Sequence, residues 1–255
     1  MIFDTHAHYD DEAYEEDRED ILKLIRQEGV GLVTDVGATI ASTKKAVALS
    51  EQYDFIYAAV GVHPEGVEEL TNQDMDWLCE LAKREKVVAI GEIGLDYYYE
   101  DPKRDIQKIW FRKQLEVARK TGLPVVIHSR DAAQDTLDII KEEHGEQIGG
   151  VIHCFSYGKE MAREYLNMGL YLGIGGVVTF KNAKKLKEVV EYAPLEQLVL
   201  ETDSPYLSPE PNRGKRNSSL NLPYVAAMIA ELKGISGEEV IAVTEENAKR
   251  LLFRK

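Results

Sequence analysis

Histidines and acids occur where the short apolar runs of this sequence end. The first run ends in Asp-Thr-His-Ala-His, so His6 and His8 are two residues apart and would point to the same side of a strand. Further runs end near Glu92, His128, His153 and Asp203. Five of the six histidines, all but His144, have such positions. Because imidazole and carboxylate groups are ligands of zinc, manganese, iron and cobalt, the pattern predicts a metal centre.

This number of ligands exceeds what one catalytic zinc ion with an open position needs. It suits two divalent ions about 3.5–4 Å apart, with one carboxylate between them. Two divalent cations outweigh the charge of two carboxylates and a hydroxide, so the residual positive charge favours an anionic substrate such as a phosphodiester. Imidazole ligands favour zinc or manganese, whereas magnesium prefers oxygen ligands, and the residues leave Zn, Mn and Mg open.

Other polar residues of these runs are candidates for supporting roles. His63 ends the third run, where it would contact the scissile phosphate or protonate the leaving oxygen, or would be a structural histidine. Asp96 lies on the same side of its strand as the acid of the fourth run, and is predicted to orient a ligand or a substrate group. Asp4, one layer deeper than the first two histidines, is predicted to accept a hydrogen bond from an imidazole N–H. Cys154 has the opposite parity to the preceding histidine and is predicted to be a core residue.

The elements that would position these residues alternate along the chain. Eight apolar runs are predicted as strands: Ile2–His8, Gly31–Gly37, Phe55–His63, Val87–Asp96, Pro124–Ser129, Gly150–Phe155, Tyr171–Gly176 and Leu198–Asp203. Most are continuous, which is typical of parallel strands that are covered on both faces. Amphipathic segments that fit helices lie between them, among them Asp74–Lys86 after the N-cap candidate Thr71, and Ala132–His144 before Gly145.

Eight strand–helix units in about 250 residues predict an α/β fold, a closed (β/α)8 or TIM barrel. Residues 1–255 would form a single domain, with the reactive groups at the C-terminal ends of the strands. The alternative, an open doubly wound sheet, would have a glycine-rich phosphate turn after its first strand. Here His-Ala-His ends that strand and no GxGxxG follows, which favours the barrel.

Composition limits how this protein contacts its partners. The chain has 255 residues, of which 44% are hydrophobic and 30% charged, with 31 Lys and Arg against 45 Asp and Glu and a net charge of −14. That balance argues against coating nucleic acid or an anionic membrane with the whole surface, and permits a local basic patch. With no run near the roughly 18 apolar residues of a membrane span, no signal peptide and two cysteines, we expect a cytoplasmic protein without a membrane partner.

One long connection carries such a basic patch. Residues 204–221 are rich in proline and contain Arg213, Lys215 and Arg216, and no acidic residue occurs between Pro211 and Ala230. A long loop in a compact domain is often functional. These three cations are predicted to bind the phosphates that flank a scissile group.

Several motifs together resemble the TatD family of metal-dependent deoxyribonucleases. They are DTHAH at residues 4–8, GVHP at 61–64, GEIGLDYY at 91–98, VVIHSRDA at 125–132, HCFS at 153–156 and ETDSPYL at 201–207. The motifs follow the order of the family and extend over essentially the whole chain. The resemblance implies a metal-binding set of His6, His8, Glu92, His128, His153 and Asp203.

The resemblance also implies an activity. Asp203 would bind metal and accept a proton from the attacking water, and the substrate would be DNA with a single-stranded or frayed end, hydrolysed from the 3′ end. The family is usually described as magnesium-dependent. No lysine ends the fourth run, where some related barrels carry a carboxylated lysine, so Glu92 is predicted to bridge the two ions.

Two other functions are compatible with parts of the pattern. The same ions would polarise a carbonyl, so a hydrolase of C–N or ester bonds, acting on a small molecule or an acylated tRNA, is the first alternative. A neutral small substrate would not need the basic loop, and this feature favours the nuclease. A non-catalytic nucleic-acid-binding or scaffold protein would have no use for a complete ligand set. The sequence leaves the oligomeric state open.

Overall fold

Eight parallel strands form one sheet whose neighbours follow chain order from β1 to β8. In a computed structural model that describes residues 1–253, the strands are β1 Ile2–Ala7, β2 Val30–Val36, β3 Ile56–Val60, β4 Val87–Asp96, β5 Val125–Arg130, β6 Gly150–Ile152, β7 Tyr171–Ile174 and β8 Leu198–Leu200. The first and last strands meet at the C-terminal end of β1, where Ala7 pairs with Ser204, four residues beyond β8. The sheet is therefore a nearly closed barrel, and the predicted single-domain (β/α)8 fold is confirmed.

Helices cover the outside of this barrel. They are α1 Arg18–Gln27, α2 Ile40–Gln52, α3 Asn72–Leu81, α4 Arg104–Thr121, α5 Ala133–Glu142, α6 Gly145–Ile148, α7 Lys159–Asn167, α8 Lys184–Tyr192, α9 Leu222–Lys233 and α10 Gly237–Leu252. Short 3-10 helices lie at Glu12–Tyr14, Pro64–Glu69, Gly176–Thr179, Leu195–Gln197 and Ser219–Asn221. Among residues 1–253, no helix combines the length and apolarity needed to cross a bilayer.

The interior of the barrel is apolar at the N-terminal ends of the strands and polar at their C-terminal ends, the barrel mouth. Val126, Val151 and Val199 form an inner apolar cluster with Leu251 of α10. Strand periodicity puts Val126 and Val151 on the same side as the histidines two residues later. The interior is therefore packed toward the N-terminal ends of the strands, and polar side chains meet at their C-terminal ends.

Helix ends differ from the sequence prediction in two places. α3 begins at Asn72 after a capping box between Thr71 and Asp74, and ends at Leu81, so the predicted extension to residue 86 is wrong. α5 ends at Glu142, because His144 adopts a left-handed backbone conformation (φ 53°). Gly145, predicted to follow that helix, instead begins the short α6.

Candidate metal centre

The structure brings the six residues predicted as ligands together at the barrel mouth. His6 lies within β1, Glu92 within β4 and His128 within β5. His153 follows β6 directly, and Asp203 follows β8 by three residues. Parallel strands carry all these side chains to the same end of the barrel, so residues far apart in the chain become neighbours.

Glu92 lies at the centre of this group and is almost fully buried. Its Oε1 atom is 2.8 Å from His128 Nδ1, 3.1 Å from His153 Nε2 and 3.7 Å from His63 Nε2. Its Oε2 atom is 3.5 Å from His6 Nε2 and 3.7 Å from His8 Nε2. The two oxygens of one carboxylate therefore face two different groups of imidazoles.

Asp203 completes the group on the Oε2 side. Its Oδ1 atom is 3.4 Å from His8 Nε2 and 3.7 Å from His6 Nε2, and these two ring nitrogens are 3.1 Å apart. The Nδ1 atom of His8 lies 2.7 Å from the carbonyl oxygen of Val36, an acceptor that keeps a proton on Nδ1 and turns the Nε2 atom toward the centre. Two imidazole nitrogens and a carboxylate that converge in this way fit the donor set of a divalent transition metal.

Burial and neighbouring charges shift the pKa values of the clustered groups. Burial opposes protonation of His8, but the hydrogen bond and charge of Asp203 and the charge of Glu92 raise its pKa to about 10. Burial and the charge of His153 lower the pKa of His6. Burial would raise the pKa of Glu92, but His153, His63 and His128 hold it well below its usual range. Opposite charges within the cluster therefore offset the cost of burying these groups.

Asp96 contacts a residue of the ligand set. Its Oδ2 atom is 3.0 Å from His128 Nε2, and its Oδ1 atom accepts the backbone N–H of Tyr98 at 2.9 Å. This geometry suits the predicted role of orienting a ligand, because a carboxylate on the second nitrogen of an imidazole fixes the ring.

Asp4 differs from its prediction, because its carboxylate contacts no imidazole. It accepts the backbone N–H groups of Thr202 at 3.0 Å and of His6 at 3.3 Å, and the hydroxyls of Thr202 at 2.7 Å and Ser219 at 2.6 Å. The pairing of β1 with β2 is irregular between Asp4 and Ala7, so simple alternation does not describe this strand. Asp4 thus ties β1 to the segment that carries Asp203.

We expect Asp4→Ala to reduce the free energy of unfolding by about 3 kcal/mol or more, because four donors lose their acceptor in a fully buried site. Asp4→Asn keeps an oxygen that accepts the two backbone N–H groups, so its loss should be about 1 kcal/mol. Denaturant unfolding in the presence of a chelator measures both variants without a contribution from metal. Equal losses in the two variants would contradict this assignment.

Glu201 has a role that the sequence patterns did not indicate. This residue is buried, its Oε1 atom is 3.6 Å from His153 Nδ1, and the same oxygen accepts the N–H of Cys154 at 2.5 Å. A Cβ at Gly173 would lie 2.1 Å from Glu201 Oε2, so the glycine provides the space for this carboxylate. A positional signal was available, since Glu201 directly follows the apolar run Leu198–Leu200 and precedes Asp203 by two residues.

Cys154 is the clearest error of the sequence analysis. β6 ends at Ile152, and Cys154 adopts a positive φ of 46°, so strand alternation no longer applies there. The residue lines the cavity at the barrel mouth and is not part of the described core.

This cavity has a volume of about 410 Å³ and lies next to the cluster. Its lining includes His128, Arg130, His153, Cys154, Asp203 and Tyr206. It is a pit formed by the loops that follow the strands, which is where barrel enzymes bind their substrates.

The three cations of the 204–221 loop do not line this cavity. Arg216 binds both carboxylate oxygens of Asp17 and donates to the carbonyl oxygen of Ala13 at 2.6 Å. The Arg213 guanidinium lies 4.4 Å from the ring centre of Phe180, and Lys215 is exposed. Their predicted contact with substrate is not supported by proximity to the cluster.

Comparison with known proteins assigns the chain to a family. The sequence profile described as "TatD related DNase" matches residues 3–253. The chain belongs to the TatD family. Its TatD relatives include the Bacillus subtilis (strain 168) protein described as the uncharacterized metal-dependent hydrolase YabD, which is 49% identical over 251 residues, covering 98% of each chain. The Escherichia coli (strain K12) protein described as the uncharacterized metal-dependent hydrolase YcfH is 38% identical over 254 residues, covering 98% of this chain and 95% of the relative.

A solved structure agrees with the TatD assignment. The crystal structure of YJJV, a TatD homologue from Escherichia coli K12, superposes with a TM-score of 0.93 at 31% identity, covering 100% of this chain and 98% of that one. The protein is therefore a metal-dependent hydrolase of the TatD family, with its candidate metal ligands at the barrel mouth.

Proposed function

We propose that this protein is a phosphodiesterase that removes nucleotides from DNA ends, with a preference for the 3′ end, and that it uses two divalent ions. The observation that carries the proposal is the Glu92 carboxylate, whose two oxygens face two separate groups of imidazoles. A carboxylate between two ions is the arrangement expected of a two-metal hydrolase. Such ions would supply a Lewis acid and a water activated at neutral pH.

Asp203 is the residue proposed to accept the proton of the attacking water. Burial would raise its pKa, but the hydrogen bond from His8 and the charges of His153, His6 and His8 lower it, so the carboxylate is ionised at neutral pH. Asp203 also lines the cavity, where a substrate group would lie. An ionised carboxylate that faces both the candidate ligands and the cavity supports the proposal of a general base.

His63 is proposed to donate a hydrogen bond to the substrate. Its Nδ1 atom accepts the backbone N–H of Glu65 at 3.2 Å, so in the neutral ring the proton is on Nε2. Burial and the charge of His128 lower the pKa of His63 to about 3, which keeps the ring neutral at physiological pH. A neutral donor can stabilise negative charge on a phosphoryl or leaving oxygen.

The shape and charge of the site support a nucleic-acid end as substrate. A pit beside the cluster admits a chain terminus more readily than the interior of a duplex, so a single-stranded or frayed end fits it. Two divalent ions together with Glu92 and Asp203 would leave net positive charge, which attracts a phosphodiester. Arg213 and Lys215 are proposed to contact phosphates farther along the DNA chain, because both side chains are exposed.

The test is hydrolysis of a single-stranded oligonucleotide labelled at its 5′ end, after chelation and with ions restored one at a time. We expect a ladder of products shortened from the 3′ end with manganese, zinc or magnesium, and no products in chelator. The same preparations are assayed with carboxyl esters, amides and an acylated tRNA. Hydrolysis of those carbonyl substrates, with the oligonucleotide left intact, would contradict the proposal and favour the C–N or ester hydrolase.

A further inference from the structure

Arg130 lines the cavity at the barrel mouth. It is the last residue of β5, two positions beyond His128, and strand periodicity puts both side chains on the same side. The described cavity lining contains no other Arg or Lys residue. The side chain of Arg130 is 46% exposed, whereas Arg216 is already paired with Asp17.

The neighbours of Arg130 fix its position and leave its donors free. Its guanidinium lies 3.8 Å from the ring centre of Tyr98 and 5.9 Å from that of Tyr99. The nearest carboxylate oxygen, Asp96 Oδ2, is 4.0 Å away, and the guanidinium donates no hydrogen bond to any residue in the described part of the chain. A stacked guanidinium with unused N–H groups is well suited to bind two oxygens of a phosphate.

Asp96 connects this guanidinium to the metal centre. Its Oδ2 atom is 3.0 Å from His128 and its Oδ1 atom accepts the N–H of Tyr98, so one carboxylate holds a candidate ligand and the residue that carries the stacking ring. Arg130 and Asp96 are also paired across β4 and β5. The guanidinium is therefore positioned relative to the cluster by regular strand pairing, and not by a free loop.

We propose that Arg130, stacked on Tyr98, binds the phosphate next to the one that is hydrolysed, and thereby selects oligonucleotides over minimal phosphodiesters. This inference rests on the proposed function. It adds a substrate contact on β5 at the cavity, which the cations of the 204–221 loop do not line. A minimal phosphodiester contains only the scissile group, so it would gain nothing from this residue.

Three variants test the proposal. Arg130→Met keeps an unbranched apolar side chain on Tyr98 and removes the charge, and Arg130→Lys restores the charge without the planar guanidinium. Arg163→Met is the matched control, because Arg163 is exposed on α7 and does not line the cavity. For each protein we would measure oligonucleotide binding by fluorescence anisotropy over a range of salt concentrations, and turnover of bis(p-nitrophenyl) phosphate.

We expect Arg130→Met to bind the oligonucleotide about tenfold or more weakly, as for loss of a hydrogen bond to a charged group. Its plot of log affinity against log salt should be flatter by about 0.7, since one phosphate contact on a single strand is lost. Arg130→Lys should recover the slope, and Arg163→Met and the turnover of the minimal diester should match the wild type.

Three results would overturn the proposal, and only the third would also overturn the proposed function. If the wild type binds and shortens the oligonucleotide but Arg130→Met has the wild-type salt slope, Arg130 does not bind phosphate and the proposed function stands. An equal loss on the oligonucleotide and the minimal diester would have the same meaning. If the wild type neither binds nor shortens the oligonucleotide, the proposed function fails and this inference fails with it.

Discussion

Replacing Glu92 with alanine should reduce the rate of hydrolysis by a factor of at least about 10³, the scale expected when a residue that holds the reacting assembly is removed. The carboxylate is buried between two groups of imidazoles, and each oxygen faces one group. Without it, two cations would lose their shared anion and repel each other. Metal content, measured by mass spectrometry on the purified protein, should fall together with the rate.

Two further variants make this result specific to the charge of Glu92. Glu92→Gln keeps the volume and one oxygen but removes the negative charge, so we expect it to resemble Glu92→Ala in rate. Glu164→Ala removes an acid that pairs with Lys141 on the outer helices, and should have wild-type activity. Wild-type metal content and rate in Glu92→Ala would exclude the two-ion arrangement.

The affinity for metal should increase with pH across the neutral range. In the metal-free protein His8 has a pKa of about 10, so below that pH a cation must displace its proton to reach the Nε2 atom. The apparent dissociation constant should therefore fall as the pH rises, by up to about tenfold per pH unit for each proton displaced. In the metal-free state the same shift contributes stability that is complete below the usual His value of 6.5 and is lost as the pH rises toward 10.

Asp203→Asn should change this pH dependence in a defined direction. The Asp203 carboxylate is the chief partner that raises the pKa of His8, so without its charge His8 loses its proton at lower pH. The variant should bind metal more weakly, and its affinity should stop rising at a lower pH than that of the wild type. Competition with a chromophoric chelator between about pH 6 and about pH 9 measures both proteins. A metal affinity of the wild type that does not change with pH would contradict the proton-displacement model.

Local features of the sequence determined the strands and which residues meet in the cluster at the barrel mouth. Continuous apolar runs mark buried parallel strands, and the runs around His6, Glu92 and His128 correspond to strands that the structure contains. In a barrel all strand ends meet on one rim, so the position of a residue within its own run was enough to predict that it joins the cluster.

The alternation of side chains along a strand gave wrong predictions where the chain is no longer in a regular strand. β6 and β8 have three residues each, and the positive φ values of Cys154 (46°) and Asp203 (55°) interrupt the alternation of side chains. Parity could not place Cys154, which lines the cavity. Asp4 likewise departs from its prediction, because its carboxylate contacts Thr202 and Ser219 and no imidazole.

Only the tertiary structure decided which charges are free to meet a substrate. By sequence the basic loop at 213–216 was the obvious phosphate contact, but Arg216 pairs with Asp17, a residue 199 positions away. Arg130 is a single cation in its strand, so clustering of charge in the sequence does not single it out. In the structure it lines the cavity beside Tyr98. Hydrophobic periodicity is a property of neighbouring residues, whereas the pairing of two side chains depends on strand register and loop positions across the whole chain, and local sequence does not contain that information.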